Sequence, residues 1–202
     1  KAMISMKHII EIHKVTAFKV CATSAMRDAK NSAQILERVK KEAGLDIQII
    51  SGDKEGKTIL GMPLDQMGLE PNDFYLYIDV GGGSTELAFL GRGQMIANRS
   101  FNIGTLRILN DQVADGDWRE MLEWIRQTKN QNFELSAIGI GGNINHVMKH
   151  YGKTGKPYLS ISILKRVMMY MDELSMGERV RELGLKPDRA DVVVPALKIY
   201  IN

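Results

Sequence analysis

The sequence is poor in cysteine and has no long apolar run, and both absences limit what the protein can be. Cys21 is the only cysteine among 202 residues, so no disulfide can form within the chain. With no signal peptide visible, this usage favours a reducing, cytoplasmic location. The apolar runs fall well short of the roughly 18 residues that a membrane-spanning helix needs. We therefore expect a cytoplasmic protein with no membrane partner.

An excess of one charge sign is also missing. The net charge is only +3, and 44% hydrophobic residues with 25% charged residues is an ordinary composition for a folded, soluble protein. No basic run interleaved with aromatic residues indicates nucleic-acid binding. A mild positive charge is compatible with an anionic ligand, and we expect no nucleic-acid partner.

Helical and strand patterns alternate along the first part of the chain, which predicts the α/β class. From residue 102 onward helical patterns dominate, so we predict a domain boundary near residues 98–102 that separates domain 1–100 from domain 101–202. The strand patterns lie at residues 16–23, 45–51, 74–79, 84–90, 94–101 and 133–142.

The stretch "FYLYIDVGGGSTELAFL", residues 74–90, places three consecutive glycines between two strand patterns. Such a loop exposes a string of backbone N–H groups that can hold an anion, although a glycine-rich bulge is the simpler interpretation. Asp79 precedes the loop and Glu86 follows it, an arrangement that suits a divalent cation bridging to phosphate. Both carboxylates could instead be a strand-end cap and a solvent-facing strand residue. The candidate phosphate ligands are Gly81, Gly82, Gly83, Ser84 and Thr85.

Two charged residues follow strands earlier in the chain. Arg27 lies at a helix start, where its guanidinium could hold phosphate oxygens in bidentate fashion, or could form an ordinary surface ion pair. Glu55 lies just beyond a strand end, a common position for catalytic groups in α/β folds, or is a solvated glutamate at a helix start.

A second glycine loop, residues 141–143, ends the last strand pattern. Gly141 and Gly142 precede Asn143 at a predicted N-cap position, where helix N–H groups could meet an anion or polar ligand. A tight strand-to-helix turn explains the same residues almost as well. Arg189 and Asp191 are expected to form an ion pair that holds the last helix.

Six stretches, taken together, resemble one known family. It is the exopolyphosphatase and guanosine pentaphosphate phosphatase family, within the superfamily of sugar kinases, actin and heat-shock ATPases. The matching stretches follow the family's order along the chain. They are "VCATSAMRDAKN" (20–31), "IISGDKEG" (49–56), "YIDVGGGSTEL" (77–87), "SFNIGTLRI" (100–108), "AIGIGGNINHV" (137–147) and "RADVVVPAL" (189–197).

The resemblance implies an actin-like (ribonuclease H-like), two-lobed α/β fold with the site in the cleft between the lobes. It implies hydrolysis of the terminal phosphoanhydride of inorganic polyphosphate or guanosine pentaphosphate. In that reaction Glu55 is the catalytic carboxylate, the loop after Asp79 holds the terminal phosphate, and Arg27 with magnesium (or another divalent cation) near Asp79 and Glu86 neutralises charge.

The chain also departs from the family pattern. Lys54 stands where the family usually has an acidic residue, Asn143 where it has threonine, and Ala196 where it has glycine. The chain begins after the position of the family's first phosphate loop, so we expect the first lobe to be incomplete at its N-terminus and the chain as given to be nearly inactive.

Two alternatives remain open from the sequence. One is a catalytically silent phosphate or nucleotide binder on the same fold, in keeping with Lys54; the other is a kinase, which the match at residues 20–31 disfavours. The sequence does not distinguish polyphosphate from guanosine pentaphosphate, and a homodimer is possible.

Overall fold

The computed structural model describes residues 1–59, 70, 72–129, 134–153, 155, 156 and 158–202. The chain divides into two compact units, Lys1–Glu55 and Gly56–Asn202. No helix in these described ranges is both long and apolar enough to cross a membrane.

The first unit builds a small parallel sheet flanked by helices. Strands β1 and β2 pair in parallel, with Val20 opposite Ile47, and helices α2 and α3 connect them. Observed β1 is shorter than the strand predicted at residues 16–23. The elements are α1 (Ala2–Ile12), β1 (Val20–Ala22), α2 (Ser24–Asp28), α3 (Ser32–Ala43) and β2 (Ile47–Ile49), and α4 (Gly52–Ile59) crosses into the second unit.

The second unit is organised around a four-stranded sheet in the order β5-β4-β3-β6. Its strands are β3 (Phe74–Val80), β4 (Thr85–Gly91), β5 (Gln94–Phe101) and β6 (Leu135–Ile140). The first three form an antiparallel meander, as predicted, whereas β6 runs parallel to β3. Because β3 and β6 are parallel neighbours, their carboxyl ends lie at the same edge of the sheet, and both glycine loops begin there.

Helices pack on this sheet and on one another. The helices are α5 (Thr105–Leu109), α6 (Asp115–Thr128), α7 (Gly142–Tyr151), α8 (Ile161–Glu173), α9 (Met176–Leu183), α10 (Pro187–Ala190) and α11 (Val193–Ile201). Apolar side chains of α6 cover one sheet face, where Trp124 packs at an angle against Phe89 and Phe101. Helices α7, α8 and α11 share a second core that includes Val147 and Met171.

The compact units divide the chain at a different place from the predicted boundary. Residues 98–102 lie inside the second unit, at the junction of β5 and α5. Strand β6 comes from beyond that boundary, yet it pairs with β3 from Phe74↔Leu135 to Asp79↔Ile140, which joins both sides in one sheet. How residues 1–100 and 101–202 correspond to the two lobes of the fold stays a prediction.

Candidate active site

The register of the meander brings the two predicted metal-binding carboxylates together. Asp79 on β3 lies directly opposite Glu86 on β4, and Glu86 lies opposite Ser100 on β5. Opposite residues of antiparallel strands share a face, with Cβ atoms about 5 Å apart. Glu86 is only 5% exposed and accepts a hydrogen bond of 2.9 Å from the Ser100 hydroxyl. Two carboxylates therefore line the end of the sheet beside the glycines.

The first glycine loop, residues 81–84, is closed by its own backbone. The Gly81 amide donates to the Ser84 carbonyl at 2.9 Å. The amides of Gly82 and Gly83 donate to no backbone carbonyl within the described ranges. The Gly81 N–H therefore closes the loop and is not available to phosphate. This removes one amide from the predicted set of phosphate donors.

All three glycine carbonyls of this loop are held by consecutive residues of the segment that follows β5. The carbonyl of Gly81 accepts from the Thr105 amide at 3.0 Å, and that of Gly82 accepts from the Leu106 amide at 2.8 Å. The carbonyl of Gly83 accepts from Nε of the Arg107 side chain at 2.7 Å. The loop carbonyls therefore all point toward the start of α5.

This arrangement fixes where the amides point. In a planar trans peptide the C=O of one residue and the N–H of the next lie on opposite sides of the bond. Because the carbonyls of residues 81–83 face α5, the amides of Gly82, Gly83 and Ser84 face away from it. Successive amides turned the same way form a concave anion site.

Close packing explains why glycine occurs at residue 104, outside the loop, and at residue 82, within it. A Cβ on Gly104 would lie 2.6 Å from the carbonyl carbons of Gly82 and Gly83, closer than any real Cβ contact. A Cβ on Gly82 would meet the Leu106 side chain at 3.1 Å. Both glycines thus allow the loop and the start of α5 to pack against each other.

Thr85, a predicted phosphate ligand, has its hydroxyl hydrogen engaged elsewhere. Its Oγ1 donates to the Ile103 carbonyl at 2.6 Å, and the residue is fully buried. In this geometry Thr85 ties β4 to the segment after β5, as the neighbouring backbone bonds do.

In the first unit, the two predicted catalytic residues contact each other. Nη1 of Arg27 lies 3.2 Å from Oε2 of Glu55 and 2.8 Å from the Ile50 carbonyl. The side chains are 24% and 17% exposed. Glu55 lies in the first turn of α4, where the helix dipole favours a carboxylate. Arg27 therefore pairs with Glu55, and Arg27 also remains a candidate phosphate ligand.

The second glycine loop differs from its prediction at Asn143. Gly141 is the N-cap, with a φ of 116° that L-residues rarely adopt, and α7 begins at Gly142. The prediction of Asn143 as the N-cap is therefore wrong, because the left-handed turn at Gly141 starts the helix earlier. A Cβ on Gly141 would lie 3.9 Å from Oδ1 of Asp79, so this loop adjoins the carboxylate pair.

Three buried polar atoms have no hydrogen-bond partner among the described residues, namely Asn143 Oδ1, His146 Nε2 and Asp191 Oδ1. The expected ion pair of Arg189 with Asp191 does not form through that buried oxygen. Instead the Arg189 guanidinium packs against Gly142, where a Cβ would overlap it. Burial, followed by the charge of His150, lowers the pKa of His146.

Comparison with known proteins identifies the family of this chain. The model of the Ppx/GppA phosphatase family matches residues 1–202. The chain belongs to the Ppx/GppA phosphatase family. The resemblance read from the six stretches is thereby confirmed.

Curated relatives show the same affiliation. A bifunctional 3-dehydroquinate synthase/phosphatase of Fusobacterium nucleatum is 31% identical, covering 93% of this chain and 31% of its own length. A guanosine-5'-triphosphate,3'-diphosphate pyrophosphatase of Aeromonas hydrophila is 34% identical, covering 91% of this chain and 39% of its own. The chain thus spans about a third of the length of the curated relatives it matches.

Solved structures of family members share the fold. An exopolyphosphatase of Cytophaga hutchinsonii superposes with a TM-score of 0.77 at 23% identity, covering 98% of this chain and 70% of that one. A family member of Aquifex aeolicus gives 0.70 at 24% identity, covering 99% and 70%. The predicted actin-like α/β class is confirmed.

The carboxylate pair fits the magnesium ion that the family resemblance implies. No group of three or more His, Cys, Asp or Glu side chains suited to a metal occurs in the described ranges. Magnesium commonly uses only one or two protein carboxylates and completes its shell with water and substrate phosphate. Asp79 and Glu86, opposite each other beside the first glycine loop, are two carboxylates that fit this requirement.

Several residues beside the candidate site were not singled out from the sequence. Arg107 and Gly104 lie in the recognised stretch "SFNIGTLRI", but only the folded contacts assign them to the loop. Tyr200 donates to the Ile140 carbonyl at the second loop, and burial followed by the charge of Asp79 raises its pKa. Burial, then Asp79, also raises the pKa of Tyr77 to about 12. Neutral phenols therefore adjoin Asp79.

Proposed function

We propose that the protein is a phosphohydrolase that releases the terminal phosphate of inorganic polyphosphate or guanosine pentaphosphate by attack of water. One observation carries the proposal most: three consecutive amides, of Gly82, Gly83 and Ser84, face the same way at the end of a strand that also presents Asp79 opposite Glu86. An anion site beside a carboxylate pair suits a phosphate that arrives with a divalent cation.

The loop amides bind the oxygens of the terminal phosphate. Phosphoryl transfer gains mainly from positioning and from stabilising charge, so fixed amides are well suited to it. A magnesium ion held by Asp79 and Glu86 would supply neutralisation of charge on the phosphate oxygens when bound. Because the loop carbonyls are all engaged by residues 105–107, the amides need no reorganisation when the substrate binds.

Glu55 acts as the general base that orients and deprotonates the attacking water. Its partner Arg27 keeps the carboxylate in one orientation through the contact of 3.2 Å. Arg27 carries a second role, contributing positive charge to the phosphate as it leaves. Both roles rest on the family resemblance of residues 20–31 and 49–56 and on this pairing.

The substrate class rests on relatives' names and on shared chemistry. Relatives are named as a guanosine-5'-triphosphate,3'-diphosphate pyrophosphatase and an exopolyphosphatase. Polyphosphate and guanosine pentaphosphate both end in a phosphoanhydride, which the three amides would bind in the same way. We further propose a cytoplasmic location and a homodimer.

The test is phosphate release from each substrate, with magnesium or with a chelator, by protein that includes the family's first phosphate loop, as wild type and as Glu55→Gln. Wild type should release phosphate only with the metal, and Glu55→Gln should lose most of that activity. Glu37→Gln, an exposed change of the same chemistry on α3, is the matched control. Magnesium-dependent phosphate binding without any release would support the silent binder instead.

A further inference from the structure

The third contact to the first glycine loop differs in kind from the other two. The carbonyls of Gly81 and Gly82 are held by backbone amides, but the carbonyl of Gly83 is held by the Arg107 side chain. We propose that Arg107 is a positioning residue that orients the Ser84 amide for phosphate binding. This inference rests on the proposed function of the loop.

The argument follows from the peptide that joins Gly83 to Ser84. Its planar geometry couples the direction of the Gly83 carbonyl to that of the Ser84 N–H. The hydrogen bond of 2.7 Å from Nε of Arg107 therefore fixes both groups. Without it, the peptide between Gly83 and Ser84 gains freedom to rotate, since glycine restricts its backbone least.

The position of Arg107 in the chain explains why a side chain makes this contact. The first two residues of α5, Thr105 and Leu106, donate their amides to the first two carbonyls. Arg107 follows as the third residue of α5, and its side chain makes the third contact. The Nε–H of a guanidinium is a donor in a fixed plane, which an amine on a flexible stem does not reproduce.

The experiment is a titration of ¹⁵N-labelled protein with inorganic phosphate in the presence of magnesium, followed by amide chemical shifts. It compares wild type, Arg107→Gln and Arg107→Lys. Arg126→Gln, an exposed arginine on α6, controls for charge. Val167→Ala, a buried change in the α8 core, controls for general loss of stability.

In wild type, phosphate should shift the amides of Gly82, Gly83 and Ser84. In Arg107→Gln the Ser84 amide should already be displaced before phosphate is added, and phosphate should bind roughly tenfold more weakly. Arg107→Lys should recover only part of the affinity, and both controls should bind like wild type.

The titration distinguishes a failure of the proposed function from a failure of this inference alone. If wild-type protein shows no phosphate-induced shift in residues 82–84, both the proposed function of the loop and this inference are overturned. If wild type binds there and Arg107→Gln binds equally well, with an unchanged Ser84 shift in the free protein, only the inference is overturned. A weaker affinity with an unmoved free Ser84 amide would make Arg107 a direct phosphate ligand and would also overturn the positioning role.

Discussion

The guanidinium of Arg27 donates a hydrogen bond of 3.2 Å to the carboxylate of Glu55. The two residues belong to separate family motifs, and the fold brings them into contact. Residues that work as a unit have strongly non-additive effects on catalysis. Their pairing therefore makes a quantitative prediction about activity.

In protein that includes the family's first phosphate loop, Glu55→Gln should lower turnover by about 10²–10⁴, as expected for loss of a general base. Arg27→Gln alone should also lower turnover. Added to the Glu55→Gln protein, Arg27→Gln should lower turnover by a much smaller factor than when it is added to wild type. The measurement is the kcat of all four proteins on polyphosphate. Fully additive effects would mean that Arg27 does not work through Glu55.

Gly104→Ala should destabilise the protein and weaken phosphate binding, because the new Cβ would lie 2.6 Å from the carbonyl carbons of Gly82 and Gly83. Overpacking of this kind costs about 1–3 kcal/mol. Urea unfolding and calorimetric titration with phosphate measure the two effects.

Gly116→Ala is the matched control, since α6 leaves open space around that position. It should be neutral or stabilise by about 0.5–1 kcal/mol through helix propensity. If Gly104→Ala behaves like Gly116→Ala, the close packing of loop and α5 is not present in solution.

Thr85→Val should lower stability while leaving phosphate affinity close to that of wild type. The change removes the hydroxyl that donates to the buried Ile103 carbonyl, and an unsatisfied buried acceptor costs about 1–3 kcal/mol. Thermal unfolding and phosphate titration separate the two properties. A large loss of affinity at unchanged stability would show instead that the hydroxyl binds phosphate.

The raised pKa of Tyr77 predicts that the protein loses stability at alkaline pH. Its pKa is about 12 in the folded protein against an ordinary value of 10.0, so the folded state holds the phenol proton more tightly. That contribution is complete below pH 10 and is lost as the pH rises toward 12. Between pH 9 and 11 wild type should therefore lose more unfolding free energy than Tyr77→Phe.

Tyr158→Phe, at an exposed position, should follow the wild-type pH dependence and serves as the control. Urea unfolding at several pH values gives the comparison. Equal slopes for wild type and Tyr77→Phe would contradict a raised pKa at Tyr77.

The sequence predicted the meander well because its signals are local. Apolar runs separated by glycine-rich turns predicted strands at 74–79, 84–90 and 94–101, and the observed strands differ by a residue or so at their ends. The opposition of Asp79 and Glu86 follows from that hairpin register. The strand at 16–23 was overestimated, since only Val20–Ala22 pairs with β2.

The contacts that shape the site were not predictable in the same way. Residues 81–83 meet residues 105–107 across the fold, and no local pattern encodes such a pairing. The start of α7 was placed too late because the φ of 116° at Gly141 depends on its surroundings. The predicted domain boundary rests on the change to helical patterns after residue 102, and the pairing of β3 with β6 across it is a long-range contact that no local pattern encodes.

The most direct measurement is a crystal structure of the protein with magnesium and tungstate, a phosphate mimic whose anomalous scattering locates it unambiguously. Tungstate oxygens should lie about 3 Å from the amide nitrogens of Gly82, Gly83 and Ser84, with the Gly81 amide still donating to Ser84. Tungstate bound only elsewhere, with this loop empty and unchanged, would contradict the loop as the phosphate site.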